Sequence, residues 1–220
     1  MTTLKAVQRI CMFCGLRTPA GTDTGKSSDA GLAETYLDEA SAEIQSAGWP
    51  ENTENGLKLT PTAGAITTSH FGTDVLSIRT WGADAHTMVR LVATALEWYD
   101  SSQTADPWTA TFTQSELSVT VIRNIAFTSL PESLAHYITS EAARNFFAAE
   151  VFETGGIDKQ RKFELRRRIE GDWLRTKAVA EQQAWQQHSA VNNLLSTDGA
   201  RLIRGRERGY GTSFLLGTGS

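Results

Sequence analysis

Few residues in this chain have the chemistry to act as nucleophiles, metal ligands or phosphate clamps, and each sits at a spacing with a definite meaning. Cys11 and Cys14 form a CxxC pair, the spacing of a redox dithiol, of half a zinc site, or of two positions on one helix face. The helix-face reading fits best: no second Cys pair or clustered His pair completes a metal site, and His70, His86, His136 and His188 are scattered. The segment Gly21 to Lys26, GTDTGK, resembles a phosphate loop, but Gly21 and Gly25 are only four apart and the element before them reads as a helix, not a strand. Asp38, Glu39 and Glu43 could be imagined as an acid and base, yet at helical spacing they predict a solvated face. No His has a Ser or Cys partner in a recognisable catalytic motif. These residues predict a chain that is not an enzyme and needs no cofactor and no metal.

Charge is distributed more tellingly than chemistry. The net charge is −4, but residues 1–150 hold 9 basic and 17 acidic side chains, and residues 151–220 hold 12 basic and 8 acidic ones. Asymmetry of this kind suggests different partners for different parts of a chain. The basic run Lys159, Arg161, Lys162, Arg166, Arg167, Arg168 and the later Arg201, Arg204, Arg206 and Arg208 could contact nucleic-acid phosphates, which bind Lys and Arg irrespective of sequence. It could equally be a solvated helix face, with Glu164, Glu170 and Asp172 interspersed. The favoured reading is pairing with an acidic protein surface, because complementary charge sets register and association rate, and the first 150 residues of a neighbouring copy are acidic enough to serve.

The elements that must position these groups follow from periodicity. Thr2 or Thr3 caps a helix to about Cys14, with Leu4, Val7, Ile10, Cys11 and Cys14 as its apolar stripe and Gly15 as its stop. Residues Thr18 to Ser28 form a loop. A second helix starts near Ser28 or Asp29, carries Leu32, Tyr36, Leu37, Ala40 and Ile44, and ends at Gly48. From Trp49 to Arg123 short β-prone runs alternate with Gly, Pro, Thr and Asp: Leu57 to Leu59, Val75 to Trp81, Met88 to Trp98, Trp108 to Phe112 and Leu117 to Arg123. Ser129-Leu130-Pro131-Glu132 opens a further helix through Leu134, Ile138, Ala142 and Phe146 to about Phe152, closed by Gly155 and Gly156.

From Ile157 to about Leu195 the chain holds no Pro and one Gly, Gly171. It reads as one helix of about 40 residues, roughly 60 Å long, or as two that break near Gly171. The expected fold class is α+β: a helical bundle with a long C-terminal helix (1–48 and 129–204), an inserted β-rich module (49–128), and a Gly-rich C-terminal tail (205–220) with Phe214, Leu215 and Leu216 as a short apolar anchor. No run approaches the roughly 18 apolar residues of a membrane helix and the N-terminus has no signal-peptide pattern, so no membrane partner is expected and the cytoplasm is the expected place of synthesis.

Several strings in this order resemble the tail tubular protein A family, the adaptor or gatekeeper ring proteins of short-tailed phages. They are AEIQSAGWPENTENGLKLTP at 42–61, with Ile44, Gln45, Gly48, Trp49, Gly56, Leu57 and Pro61; LEWYD at 96–100; SVTVIR at 118–123; and LPESLAHYITSEAARNF at 130–146. The strings cover roughly residues 30–150; the CxxC pair and the basic segment from Lys159 onward lie outside them. The resemblance implies a subunit of the virion tail, twelve copies of which form a ring between the portal protein and the tail nozzle, a tail tubular protein B-like ring, with DNA passing through the lumen without specific binding. The helical part and tail are then expected on the portal and the β module on the nozzle. Trp173 and Trp185, with Phe214, Leu215 and Leu216, are candidate interface anchors, although both Trp side chains could instead pack within the chain. A lumen that lets DNA pass is expected to be acidic or mixed, since accumulated Lys and Arg contacts would slow the genome. The competing expectations are a DNA-binding protein using the basic C-terminal third and a tail-associated glycan hydrolase using scattered carboxylates.

Overall fold

The structure, a computed structural model, describes residues 1–21, 28–102, 106–151 and 158–194, with side chains at all of these except Ala83 and 188–194. It is an α+β chain with helices α1 (Thr3–Phe13), α2 (Asp29–Ser46), the single turn α3 (Thr68–Phe71), α4 (Glu132–Phe146) and the long α5 (Lys159–Leu194). Among the described residues six strands fall between them: β1 (Thr53–Leu59), β2 (Val75–Thr80), β3 (Val89–Val92), β4 (Ala95–Tyr99), β5 (Trp108–Thr109) and β6 (Leu117–Arg123). Residues 1–180 form one compact unit and 181–220 a second.

The helix ends follow from their flanking residues. Thr2 Oγ1 accepts from the Lys5 amide at 3.4 Å to start α1, and Gly15, at φ +74°, lets the chain turn back so that the Leu16 N–H donates to Cys11 O at 2.8 Å. Ser28 Oγ accepts from the Gly31 amide at 3.1 Å to start α2. Just past the end of α2 comes Gly48, whose φ of +81° strains any other residue; a Cβ there would also lie 2.9 Å from Ile122 Cδ1, so that methyl would have to shift. Past Phe146, α4 continues as a π-helical turn, Phe147–Val151; Phe152, Gly155 and Gly156 lie outside the described residues. α5 runs through Gly171 without a break, which settles the two readings of that segment in favour of one helix.

Two apolar cores result among the described residues. The helical core joins Val7, Ile10, Cys11 and Cys14 of the first helix and its cap with Leu37 and Ile44 of α2, Leu134, Ile138, Ala142 and Phe146 of α4, and Ile169 and Ala180 of α5. The second core lies under the strands and is built from Leu59, Ile66, Phe71, Ile78, Leu96, Phe112, Leu117, Val119 and Val121. β6 is the central strand of an antiparallel sheet ordered β1-β6-β2, with Leu57 opposite Val119 and Ile78 opposite Val121. The alternation of Leu117, Val119 and Val121 puts these three on one buried face. A second sheet, β3-β4-β5, pairs Val89 with Trp98 and Tyr99 with Trp108. The run Met88 to Trp98, which periodicity reads as one strand, is therefore a hairpin that turns at Ala93 (φ +51°) and Thr94.

A small polar knot ties α2 to the sheet. Gln45, fully buried, donates from Nε2 to Ser41 Oγ at 2.9 Å and to the Ile125 carbonyl at 3.0 Å, and its Oε1 accepts from the Ile125 N–H at 2.7 Å. Asn52 Nδ2 donates to the carbonyls of Gln45 at 2.8 Å and Arg123 at 2.9 Å, while its Oδ1 accepts from the Trp49 N–H at 2.8 Å. Gln45 and Trp49 belong to the string whose resemblance was noted above, and here that string forms the joint between the helices and β6.

Candidate functional site

The residues that carry this chain's surface chemistry are brought together by packing across a long sequence distance. α5 is laid along α1 and α4. Leu165 approaches the position of a Gly15 Cβ at 3.3 Å, Trp173 Nε1–H donates to the Glu141 carboxylate, and the hydroxyls of Ser140 and Thr176 share a hydrogen bond at 2.5 Å. This leaves an open groove of about 870 Å³ between α1 and α5, lined by Lys5, Gln8, Arg9, Met12, Phe13 and Thr18 on one wall and Arg168, Gly171, Asp172 and Arg175 on the other.

The groove is cationic with one anion at its floor. The Asp172 carboxylate, only 8% exposed, accepts from Arg9 Nη2 at 3.1 Å and from Arg175 Nη2. Arg9 also places Nη1 2.6 Å from His136 Nδ1 and its guanidinium 5.1 Å from the centre of the Phe13 ring. Arg168 lies 5.7 Å from the same ring. A buried carboxylate shared by two guanidiniums is held in place by charge-assisted hydrogen bonds, so Arg9 and Arg175 are positioned along the groove. Lys5 is exposed at its rim, and Met12, 49% exposed, adds an apolar wall.

α2 is the opposite in sign. It holds Asp29, Glu34, Asp38, Glu39 and Glu43 and no basic residue; Asp38, Glu39 and Glu43 are exposed, and none of the five makes an ion pair with a described residue. These carboxylates lie on the outward face of the helix, as their spacing predicts, although partial burial raises the Asp38 carboxyl above its ordinary value. Cys11 and Cys14 are free and buried in the helical core. Burial pushes the Cys14 thiol up to about 12, and raises that of Cys11 with help from the Asp29 charge. A thiol held protonated is a poor nucleophile and ligand, so packing accounts for the CxxC pair. Among the described residues no group of three or more His, Cys, Asp or Glu is arranged to hold a metal, and no helix is long and apolar enough to cross a membrane.

The residues singled out from sequence fall in different places. Arg166, Arg167 and Arg168 are exposed on α5, and only Arg168 lines the groove. Trp173 is used within the chain: besides its bond to Glu141, it carries Arg144 at 4.6 Å and Lys177 at 5.2 Å from its ring centre. Trp185 is 74% exposed. Arg201, Arg204, Arg206, Arg208, Phe214, Leu215 and Leu216, like the tail 205–220 and the stretch Thr22 to Lys26, lie outside the described residues. Sequence reasoning missed Lys5, Arg9, Asp172 and Arg175. A usable signal was present in composition by element: α1 has two bases and no acid, and α2 five acids and no base.

Together these features define a class, an α+β chain whose described chemistry lies on broad surfaces of opposite charge. The model of the tail tubular protein family matches residues 4–198, nearly the whole chain. The chain belongs to the tail tubular protein family and is a structural protein of the phage tail, a component of the virion. No curated protein is significantly similar to it.

Proposed function

We propose that copies of this protein form a closed ring that joins the portal of the capsid to the tail nozzle and lets DNA pass through its lumen. Membership of a family of tail structural proteins supports this reading, and the observation that carries it is the separation of charge within one chain: a cationic groove between α1 and α5 and an all-acidic α2. Ring contacts are heterologous, so one surface of each copy must complement a different surface of the next. In this reading the helical part, 1–48 and 129–204, with the tail 205–220, docks on the portal; the strand-rich part, 49–128, meets the nozzle; twelve copies close the ring. Exposed Trp185, with the tail residues Phe214, Leu215 and Leu216, serves as an anchor. The function is carried by interfaces and requires neither catalysis nor a cofactor.

The test is to mix the purified protein with its portal and measure the mass of what forms by light scattering. A defined complex many times the mass of one chain is expected. A chain that ignores the portal but binds duplex DNA with strong salt dependence would contradict the proposal and favour the basic C-terminal third as a nucleic-acid surface.

A further inference from the structure

The two charged surfaces lie on opposite sides of the helical core. α1 and α4 pack against each other, and α2 packs against both, with the Tyr36 and Phe146 rings edge to face at 5.6 Å. A pair of packed helices has two grooves. α2 occupies one of them, so α5, which bonds to α1 through Arg9–Asp172 and to α4 through Trp173–Glu141, occupies the other. The acidic face of α2 and the cationic groove beside α5 therefore point away from each other across the α1–α4 pair.

Their shapes also correspond. Glu34 and Asp38 follow one another at i,i+4 along one edge of the outward face of α2 and Glu39 and Glu43 along the other, with the small residues Thr35 and Ala42 between the two rows. The groove presents Lys5, Arg9, Arg168 and Arg175 against the single carboxylate of Asp172, an excess of three positive charges. On its α5 wall stands the exposed Gly171, where an added Cβ would meet no described atom within 4 Å. No packing among the described residues calls for glycine there, and glycine weakens a helix interior. A missing side chain on the groove wall does serve a surface that must admit another helix.

We propose that the acidic face of α2 in one copy seats in the α1/α5 groove of the next copy, and that this contact is the repeating interface of the assembly. The inference rests on the reading that copies of the chain assemble. A contact made from opposite sides of one chain repeats from copy to copy and closes into a ring where the rotation allows it.

Three variants of the full chain test it, each with its fold checked by circular dichroism and thermal melting: α2 reversed (Asp38→Lys, Glu39→Lys, Glu43→Lys), groove reversed (Lys5→Glu, Arg168→Glu), and groove filled (Gly171→Gln). Light-scattering mass is measured for each, alone and with the portal. Each variant is expected to fold and to lose the assembled species. An equal mixture of the two reversed variants is expected to recover it, because the basic α2 of one fits the acidic groove of the other and the unaltered pair remains complementary. Recovery on mixing cannot come from a misfolded chain. If wild type assembles and all three variants assemble equally well, this interface is overturned and the ring reading stands. If wild type stays monomeric alone and with the portal, both fall together. If groove reversal leaves the mass unchanged but removes binding of a short DNA duplex, the groove is a nucleic-acid surface and the proposal is overturned.

Discussion

At the scale of single residues, burial decides what each reactive group can do. Cys14 sits in the helical core with no exposed surface, its Sγ 3.7 Å from the Ala143 carbonyl, and its thiol is pushed up to about 12. An unfolded chain releases the same proton near the ordinary value of 9.0. Stability from this group is therefore complete below pH 9 and is lost as pH rises toward 12, at a limiting slope of about 1.4 kcal/mol per pH unit. Urea denaturation of wild type and Cys14→Ala at pH 9 and at about pH 10 checks this: the wild type should lose stability more steeply, and parallel losses would contradict it. Gln45 shows the same principle in a neutral group. Gln45→Leu removes the partner of the Ile125 amide and carbonyl and is expected to cost about 2–4 kcal/mol by chemical denaturation; a change under about 0.5 kcal/mol would show that the knot contributes nothing to the joint between helices and sheet.

At the scale of elements, α1, α2 and α4 were legible because capping residues and apolar period agree: Thr2 and Ser28 at the starts, Gly15 and Gly48 at the stops, and Leu134, Ile138, Ala142 and Phe146 along one face. The β3–β4 hairpin was not, since its turn at Ala93 and Thr94 has none of the Gly, Asn, Asp or Pro chemistry that marks a turn. α5 was recognisable as a long helix, but its use was not. Its inward residues Leu165, Ile169, Trp173 and Ala180 pack on the helical core, while Phe163 and Leu174 remain 63% and 60% exposed. Within this helix Gly171 has ordinary helical geometry and no described atom within 4 Å of an added Cβ. Gly171→Ala is therefore expected to raise stability by about 0.5–1 kcal/mol in urea titration; a loss of stability would show that glycine is needed inside the chain and not at its surface.

At the scale of the whole molecule, the groove escaped sequence reasoning because it joins α1 to α5 across more than a hundred residues; Arg9 and Asp172 alone are 163 apart in sequence. What the sequence did carry was the division of charge, visible as an acidic first 150 residues and a basic remainder. Folding sharpens that division: Lys5 and Arg9 of α1 join Arg168 and Arg175 in one cationic surface, and α2 is left uniformly acidic on the other side of α1 and α4. The proposed contact brings these two surfaces together head to tail through electrostatic complementarity. Low salt should favour the contact and high salt weaken it. The most direct test of the account is native mass spectrometry of the purified protein, alone and with its portal, across a range of concentrations. A single closed species at a fixed whole-number multiple of the 24.0 kDa chain is expected; a monomer under every condition, or an open-ended series of sizes, would contradict it.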